Sequence, residues 1–218
     1  MLKADLHLHT RYSMDCATPL EKLVARCQSR GLNCIAVTDH NTIEGALKAK
    51  GLAPFTIIVG EEISTTDGDL IGLFLAGPVP PGLPPLEAVQ RIKDQGGLVS
   101  IPHPFDRLRS SVISPQALKE VLPCADIIEV FNARNAYAKA DRQAAKLAFE
   151  RGLPGCAVSD AHTLGELGRT YVSMPEFDGT PQGFLASLRQ GSLVCHRSSP
   201  VVHVATTYNR FKRRLMRV

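Results

Sequence analysis

The 218-residue sequence has no apolar run near the roughly 18 residues that a membrane crossing requires, and its first residues lack the cationic-then-apolar pattern of a secretory leader. Both absences predict a chain that works in the cytoplasm with no membrane partner. Its six cysteines (Cys16, Cys27, Cys34, Cys124, Cys156 and Cys195) never form a C-x-x-C pair and four sit in apolar runs, unlike a zinc knuckle or a disulfide frame. They read as reduced, small core residues. There is no internal repeat and no low-complexity segment. With 44% hydrophobic residues the chain can bury a full core, and its length fits one domain better than two.

Acidic residues are absent from residues 208 to 218, where Arg210, Lys212, Arg213, Arg214 and Arg217 supply more than the whole formal net charge of +4. The basic character therefore belongs to a tail and not to the domain of residues 1–207. That tail reads as a solvated terminus, with a nucleic-acid contact as the alternative.

Between these limits, apolar runs alternate with helical patterns. "TPLEKLVARCQSRG" carries Thr18 as a helix cap, Pro19 at the first helical position, Glu21 closing a capping box and Gly31 as a stop. Further helices are predicted from near Thr42 to Gly51, in "PLEAVQRIKDQGG", in "SPQALKEVL", in "AKADRQAAKLAFERG" and in "TPQGFLASLRQG". Strands are predicted in "NCIAVTDH", "FTIIVG", "LIGLFLA", "LVSIPH", "ADIIEVFN" and "GCAVSDAH". Five prolines in "GPVPPGLPPL" exclude regular structure and predict a rigid surface loop. Strands that are almost wholly apolar suit burial on both faces, and the β-α alternation predicts a parallel sheet closed into a barrel.

The polar residues fall in one place along these strands. In "DLHLHT" the alternation with Leu6 and Leu8 puts Asp5, His7 and His9 on one face. Asp39 and His40 close the second strand, Glu61 and Glu62 the third, His103 closes "LVSIPH", Asn132 closes "IIEVFN", and Asp160 and His162 close "CAVSDAH". Strand C-termini are where barrel enzymes build their sites. Imidazoles and carboxylates without thiolate suit Zn, Mn or Fe, and so many ligands exceed the needs of one ion. Two or three divalent ions are expected, and clustered cations that acidify water and neutralise two oxygens together fit phosphoester hydrolysis.

The elements "DLHLHTRYSMD", "AVTDHNTIEG", "GEEIS", "IPHP", "EVFNAR" and "VSDAH", in this order and at these spacings, resemble the PHP superfamily (polymerase and histidinol phosphatase), from about residue 4 to beyond residue 170. The chain looks most like its small stand-alone metal-dependent phosphoesterases. The resemblance implies a distorted (β/α)7 TIM-like barrel with a trinuclear centre at the C-terminal ends of the strands, where a metal-bridging hydroxide hydrolyses a phosphomonoester of a small metabolite or nucleotide. A nuclease of the same chemistry, or an inactive metal-binding module that supports a partner, is the alternative. Position by position, it implies that His7, His9, Glu62 and Asp160 hold one metal, that Glu62 and His103 hold a second, and that Asp15, His40 and His162 hold a third. Glu61 is left as a solvated or supporting neighbour, while Asp5 and Asp39 orient ligands. Among arginines beyond the motifs, Arg134 and then Arg107 are expected on the substrate phosphate, ahead of Arg11 and Arg169. A metal-bound water, His103 or His162 could protonate the leaving group. His196 and His203 are treated as structural or surface residues. Many relatives carry a His where this chain has Asp69 in "DLIGLF", and Asp69 is expected to join Glu62 and His103 on the second metal while Asp67 stays in the turn.

Overall fold

In a computed structural model that describes residues 1–199, 201, 202 and 206–208, the chain alternates strands and helices. The first half runs β1 (Leu2–Leu8), α1 (Leu20–Arg30), β2 (Cys34–Val37), α2 (Glu44–Leu52), β3 (Thr56–Thr65), β4 (Gly68–Leu73), α3 (Pro85–Lys93) and β5 (Leu98–Ile101). The second half runs α4 (Pro115–Val121), β6 (Ile127–Asn132), α5 (Ala138–Arg151), β7 (Gly155–Val158), β8 (Tyr171–Met174), α6 (Pro181–Leu188) and β9 (Ser192–Val194). No described helix is long and apolar enough to cross a membrane.

All nine strands form one sheet in the order β7-β6-β5-β4-β3-β2-β1-β8-β9. It curls until the chain after β7 returns to β1: the His9 N–H donates to the Ala161 carbonyl at 2.9 Å and the Asp160 N–H to the His7 carbonyl at 2.8 Å. The result is the nearly closed TIM-like barrel that the strand-end pattern predicts. Its inner face is lined by Ala4, Leu6, Cys34, Ala36, Ile58, Ile71, Ile127 and Cys156. A second cluster, including Leu23, Ile35, Val37, Ala46, Ile57 and Val59, packs the outer face against the helices.

The sheet is not wholly parallel. β4 pairs antiparallel with both β3 and β5, and β8 and β9 extend the sheet antiparallel beside β1. The reason is local. Only Thr66 and Asp67 separate β3 from β4, too few residues for a crossover, so the chain must double back. Gly68 takes φ +115°, and a Cβ there would lie 2.5 Å from the backbone nitrogen of Ile113. The capping box expected on α1 is also absent. Thr18 turns its hydroxyl to the His162 carbonyl at 3.3 Å, and the helix begins at Leu20. Its predicted stop is present, with Gly31 at φ 72°. Cys16, Cys27, Cys34 and Cys156 are buried, whereas Cys124 and Cys195 are exposed thiols.

The Gly68→Ala variant should lose about 2 kcal/mol or more of stability in urea denaturation, because it adds a clash to an unfavourable φ. Gly82→Ala, at φ +78° with open space around its Cβ position, should lose about 1 kcal/mol.

Candidate metal centre

The C-terminal mouth of the barrel gathers the candidate ligands through four separate backbone devices. In β1 the register with β2 slips by one residue between Asp5 and Leu8. Asp5 pairs with Ile35 on the helix-facing side, while His7 and His9 turn into the barrel. Asp5 therefore does not share a face with the two histidines, as plain alternation predicts. Its carboxylate takes the Ser159 N–H at 3.0 Å and the Ser159 hydroxyl at 2.5 Å, holding the end of β7 against β1. His103 and Asp160 stand at φ 30° and 51°, non-glycine residues in the left-handed region. Such backbone persists only where its surroundings over-determine it. Finally, α2 begins over the Asp39 carboxylate, and a side chain at Gly45 would collide with it. That carboxylate accepts both the N–H and the hydroxyl of Thr10 at 2.6 Å, which pins the loop after β1.

Glu62 lies at the centre of the cluster. One of its oxygens lies 3.2 Å from His7 Nε2, 3.3 Å from His9 Nε2 and 3.2 Å from His40 Nδ1, and the other lies 3.2 Å from His103 Nε2. Asp160 Oδ1 lies 3.5 Å from His9 Nε2. Asp15 Oδ2 lies 3.4 Å from His40 Nε2 and 3.3 Å from His162 Nε2. Asp69 lies on the same sheet face as Glu62 and forms a group with it and His40, their ligand atoms within 4.8 Å of one another. Three more groups meet that limit: His9, Asp15, His40 and His162; His7, Glu62 and His103; and His7, His9 and Asp160. All nine expected ligands are thus in one pocket, and all but His40 are buried.

The donor set fits metal on an observation independent of spacing. His7 Nδ1 is 2.6 Å from Glu129 Oε1, and a carboxylate can only accept, so the ring proton is there and the Nε2 lone pair faces inward. His9 Nδ1 lies 2.9 Å from Ser13 Oγ, and because the Ser13 hydroxyl gives its proton to the Asp39 carboxylate, Oγ accepts from Nδ1 and the Nε2 lone pair again faces inward. The two Nε2 atoms are 3.1 Å apart. Two lone pairs at that distance repel unless a cation lies between them. Without metal that cation is the proton: burial disfavours it, but Glu129, Asp160 and Glu62 hold the His7 imidazolium well above its ordinary range. Burial likewise opposes the charged His9, yet Asp160 and Glu62 raise it to about 9. Glu62 is held well below the usual carboxylate range, because His40, His7 and His103 outweigh its burial.

Two residues of the pocket have no role assigned from the motifs, although Glu129 opens "EVFNAR". Glu129, buried in the apolar strand β6, joins His7 Nδ1 to the His103 backbone N–H, which it accepts at 2.9 Å. An acid inside an otherwise apolar strand was the available signal. Arg109 reaches Asp160 Oδ2 at 2.6 Å, contacts Asp106 at 3.1 Å and donates to Asn132 Oδ1 at 3.3 Å. Arg107, two residues earlier, is exposed. Arg134 is buried with each terminal guanidinium nitrogen engaged: Nη1 meets His162 Nδ1 at 2.5 Å, and Nη2 meets the Val202 carbonyl at 3.2 Å and Thr206 Oγ1 at 2.6 Å. Glu61 is not solvated. It faces away from the pocket, beneath the proline loop, and accepts the Val79 N–H at 2.8 Å; burial raises its carboxyl to about 7. Arg11, Asp67 and His196 are exposed. His203 and the tail beyond Tyr208 lie outside the described residues.

Comparison with known proteins adds an independent line. The PHP domain family matches residues 5–101, and the PHP-associated family matches residues 139–193. An uncharacterized protein of Methanocaldococcus jannaschii is 37% identical over 147 residues, which are 61% of this chain and 82% of that protein. Among solved structures, a two-domain protein of Bacteroides vulgatus containing a predicted PHP-like metal-dependent phosphoesterase aligns with a TM-score of 0.69 at 20% identity, over 95% of this chain and 69% of that one. Endonuclease Q, solved with a duplex bearing an abasic lesion at its active site, aligns with a TM-score of 0.66 at 16% identity, over 86% of this chain and 56% of that one.

Replacing Glu129 by Gln should weaken metal binding by about 10- to 100-fold, read by titrating apoprotein with Zn or Mn. The amide cannot accept from His7 and His103 together without turning a donor toward one of them.

Proposed function

Because this chain belongs to the PHP family, we propose that it hydrolyses a phosphomonoester of a small metabolite or nucleotide in a centre that takes up two or three divalent ions. The convergence of nine imidazole and carboxylate side chains, with the His7 and His9 lone pairs facing each other at 3.1 Å, carries this reading. His7, His9, Glu62 and Asp160 would hold one ion, Glu62 and His103 a second, and Asp15, His40 and His162 a third, with Asp69 joining at Glu62 from the His40 side and not beside His103 as expected. Bound there, Zn, Mn or Fe supplies an acidified water and neutralises the phosphoryl oxygens.

The chain's own residues do the remaining work. Glu129 and Ser13 fix the His7 and His9 tautomers so that both lone pairs point inward. Arg109, whose fork already spans Asp160 and Asn132, is the guanidinium placed to turn to a phosphoryl group. This role passes to it from Arg107 and Arg134. The Arg134 guanidinium can only donate, which makes His162 Nδ1 an acceptor and leaves the ring proton on Nε2 toward Asp15. The 2.9 Å approach of the Asp160 carbonyl to that Nδ1 is then not a hydrogen bond. In that tautomer Nε2–H can donate a hydrogen bond to the leaving oxygen; to hold an ion through Nε2 the ring would instead carry its proton on Nδ1, toward the Asp160 carbonyl.

A nuclease acting through the same pocket is the second reading. Its support is the resemblance in fold to Endonuclease Q, together with the basic residues 208–218 as a phosphate-binding tail.

Purified protein should carry more than one equivalent of Zn, Mn or Fe, and chelation should abolish phosphatase activity. Elemental analysis finding at most one ion per chain would sink the multinuclear reading. Since His7 and His9 hold protons in the metal-free state, metal uptake should release protons, and affinity should fall as the pH is lowered. Asp69→Ala should lose one metal equivalent and most activity, whereas Asp67→Ala should change neither. Deleting residues 208–218 should spare turnover of a small phosphomonoester and weaken oligonucleotide binding; a gel-shift series against salt reads the second effect.

A further inference from the structure

At the end of the barrel opposite the metal centre lies a cavity of about 470 Å3, within the size range of small-molecule pockets. It opens where β3 begins, beside the last turn of α2 and the segments that follow β4 and β8. Most of its wall is apolar: Phe55, Ile57, Phe74, Leu75 and Phe177 line it, and Lys50 is the charged residue among the lining. The aromatic part of this wall is held by unusual backbone. β4 stops at Leu73, paired with Gly60, and Phe74 then takes φ 60°, an outlier for a bulky side chain. That turn lets Leu75 return to the sheet, where its N–H donates to the Val59 carbonyl at 3.0 Å. It also sets the Phe74 ring edge-on to Phe184 at 5.3 Å and to Phe177 at 6.3 Å, while Phe177 meets Phe184 at 5.3 Å. Phe184 is fully buried by this cluster, whereas Phe74 and Phe177 are half-buried and keep ring surface toward the cavity. Glycine would make the same turn without strain. A strained residue that instead presents an aromatic ring to a cavity is a feature of ligand clamps.

We propose that this cavity is a second ligand site, which takes a flat aromatic molecule carrying one carboxylate or sulfonate. Phe55, Phe74 and Phe177 select the flat body, because rings gain from edge-to-face and offset packing beyond the area they bury. Lys50 selects the anion. No described carboxylate pairs with its ammonium. The two acids beside Phe177 are engaged elsewhere: Asp178 accepts the Thr180 N–H at 2.9 Å and the Thr180 hydroxyl at 2.6 Å, and Glu176 faces the N-terminal amine at 3.8 Å. A cationic ligand would meet Lys50 with no acid to offset it, and a neutral one would leave the ammonium unused. The site shares no residue with the metal centre. The proposal therefore stands whether or not the pocket at the other end hydrolyses a phosphoester.

The probe is 2-naphthoate, with 2-naphthamide as its uncharged match, titrated calorimetrically into the full chain in metal-free and Zn-loaded forms. One molecule of 2-naphthoate should bind per chain with the same affinity in both forms. The amide should bind about fivefold more weakly, and the difference should shrink as salt is raised. Nuclear Overhauser contacts should join the naphthalene protons to the methyl groups of Ile57 and Leu75. Lys50→Ala should lower the affinity for 2-naphthoate to that of the amide, Lys50→Arg should restore it, and Lys119→Ala, exposed on α4, should match wild type. Phe177→Leu keeps an apolar side chain and removes the ring, so it should weaken both probes by about 2- to 10-fold. Absence of binding at millimolar probe, equal affinity for the two probes, or an unchanged affinity in Lys50→Ala would overturn the proposal. So would binding that requires Zn or that inorganic phosphate displaces, because the anion would then be in the metal centre.

Discussion

Asp15, Glu62, Glu129 and Asp160 bring four carboxylates into a space from which water is almost excluded. Leaving such charges uncompensated costs many kcal/mol each. Every neighbouring feature of the pocket supplies compensation. His7, His9, His40 and His103 surround the two oxygens of Glu62, Arg109 pairs with Asp160, and His40 and His162 share Asp15. The balance is provisional in a useful sense. Protons neutralise the set in the absence of metal, and ions of higher charge can displace them.

The backbone serves this balance at a cost to its own regularity. A one-residue slip in β1 turns His7 and His9 inward, and left-handed conformations at His103 and Asp160 aim side chains that an ordinary strand end would direct elsewhere. Burial then keeps these conformations in place, because each strained residue is also tied through its backbone. Glu129 holds the His103 N–H, and the His7 carbonyl holds that of Asp160. Strain and ligation occur at the same positions, as expected where a pocket is preorganised.

The antiparallel strand β4 has a comparable role. A strict parallel crossover would have carried the chain to the far end of the barrel after Glu62. The hairpin instead returns it at once, so Asp69 comes to the same sheet face as Glu62 and near His40. The proline loop that follows closes over Glu61 and leaves Glu62 as the carboxylate of the pair that faces the histidines.

The sequence by itself determined the alternation of elements and the barrel, because strand ends and helix stops are written in local periodicity and in residues such as Gly31 and Gly152, and its resemblance to the PHP family implied the nine side chains that meet at one mouth. Period 2 admits only one of Glu61 and Glu62 inward, and the resemblance selected Glu62. Only the tertiary structure decided that Asp5 leaves the face of His7 and His9, that β4 runs antiparallel, that Glu129 joins His7 to His103, and that Arg109 rather than Arg107 reaches Asp160. It alone brought Thr206 to Arg134. Local periodicity fixes which way a residue points only while the register is regular, and a single-residue slip or the path of a loop inverts that direction. Contacts between residues 70 to 120 positions apart form only when the barrel closes and removes their alternative partner, water.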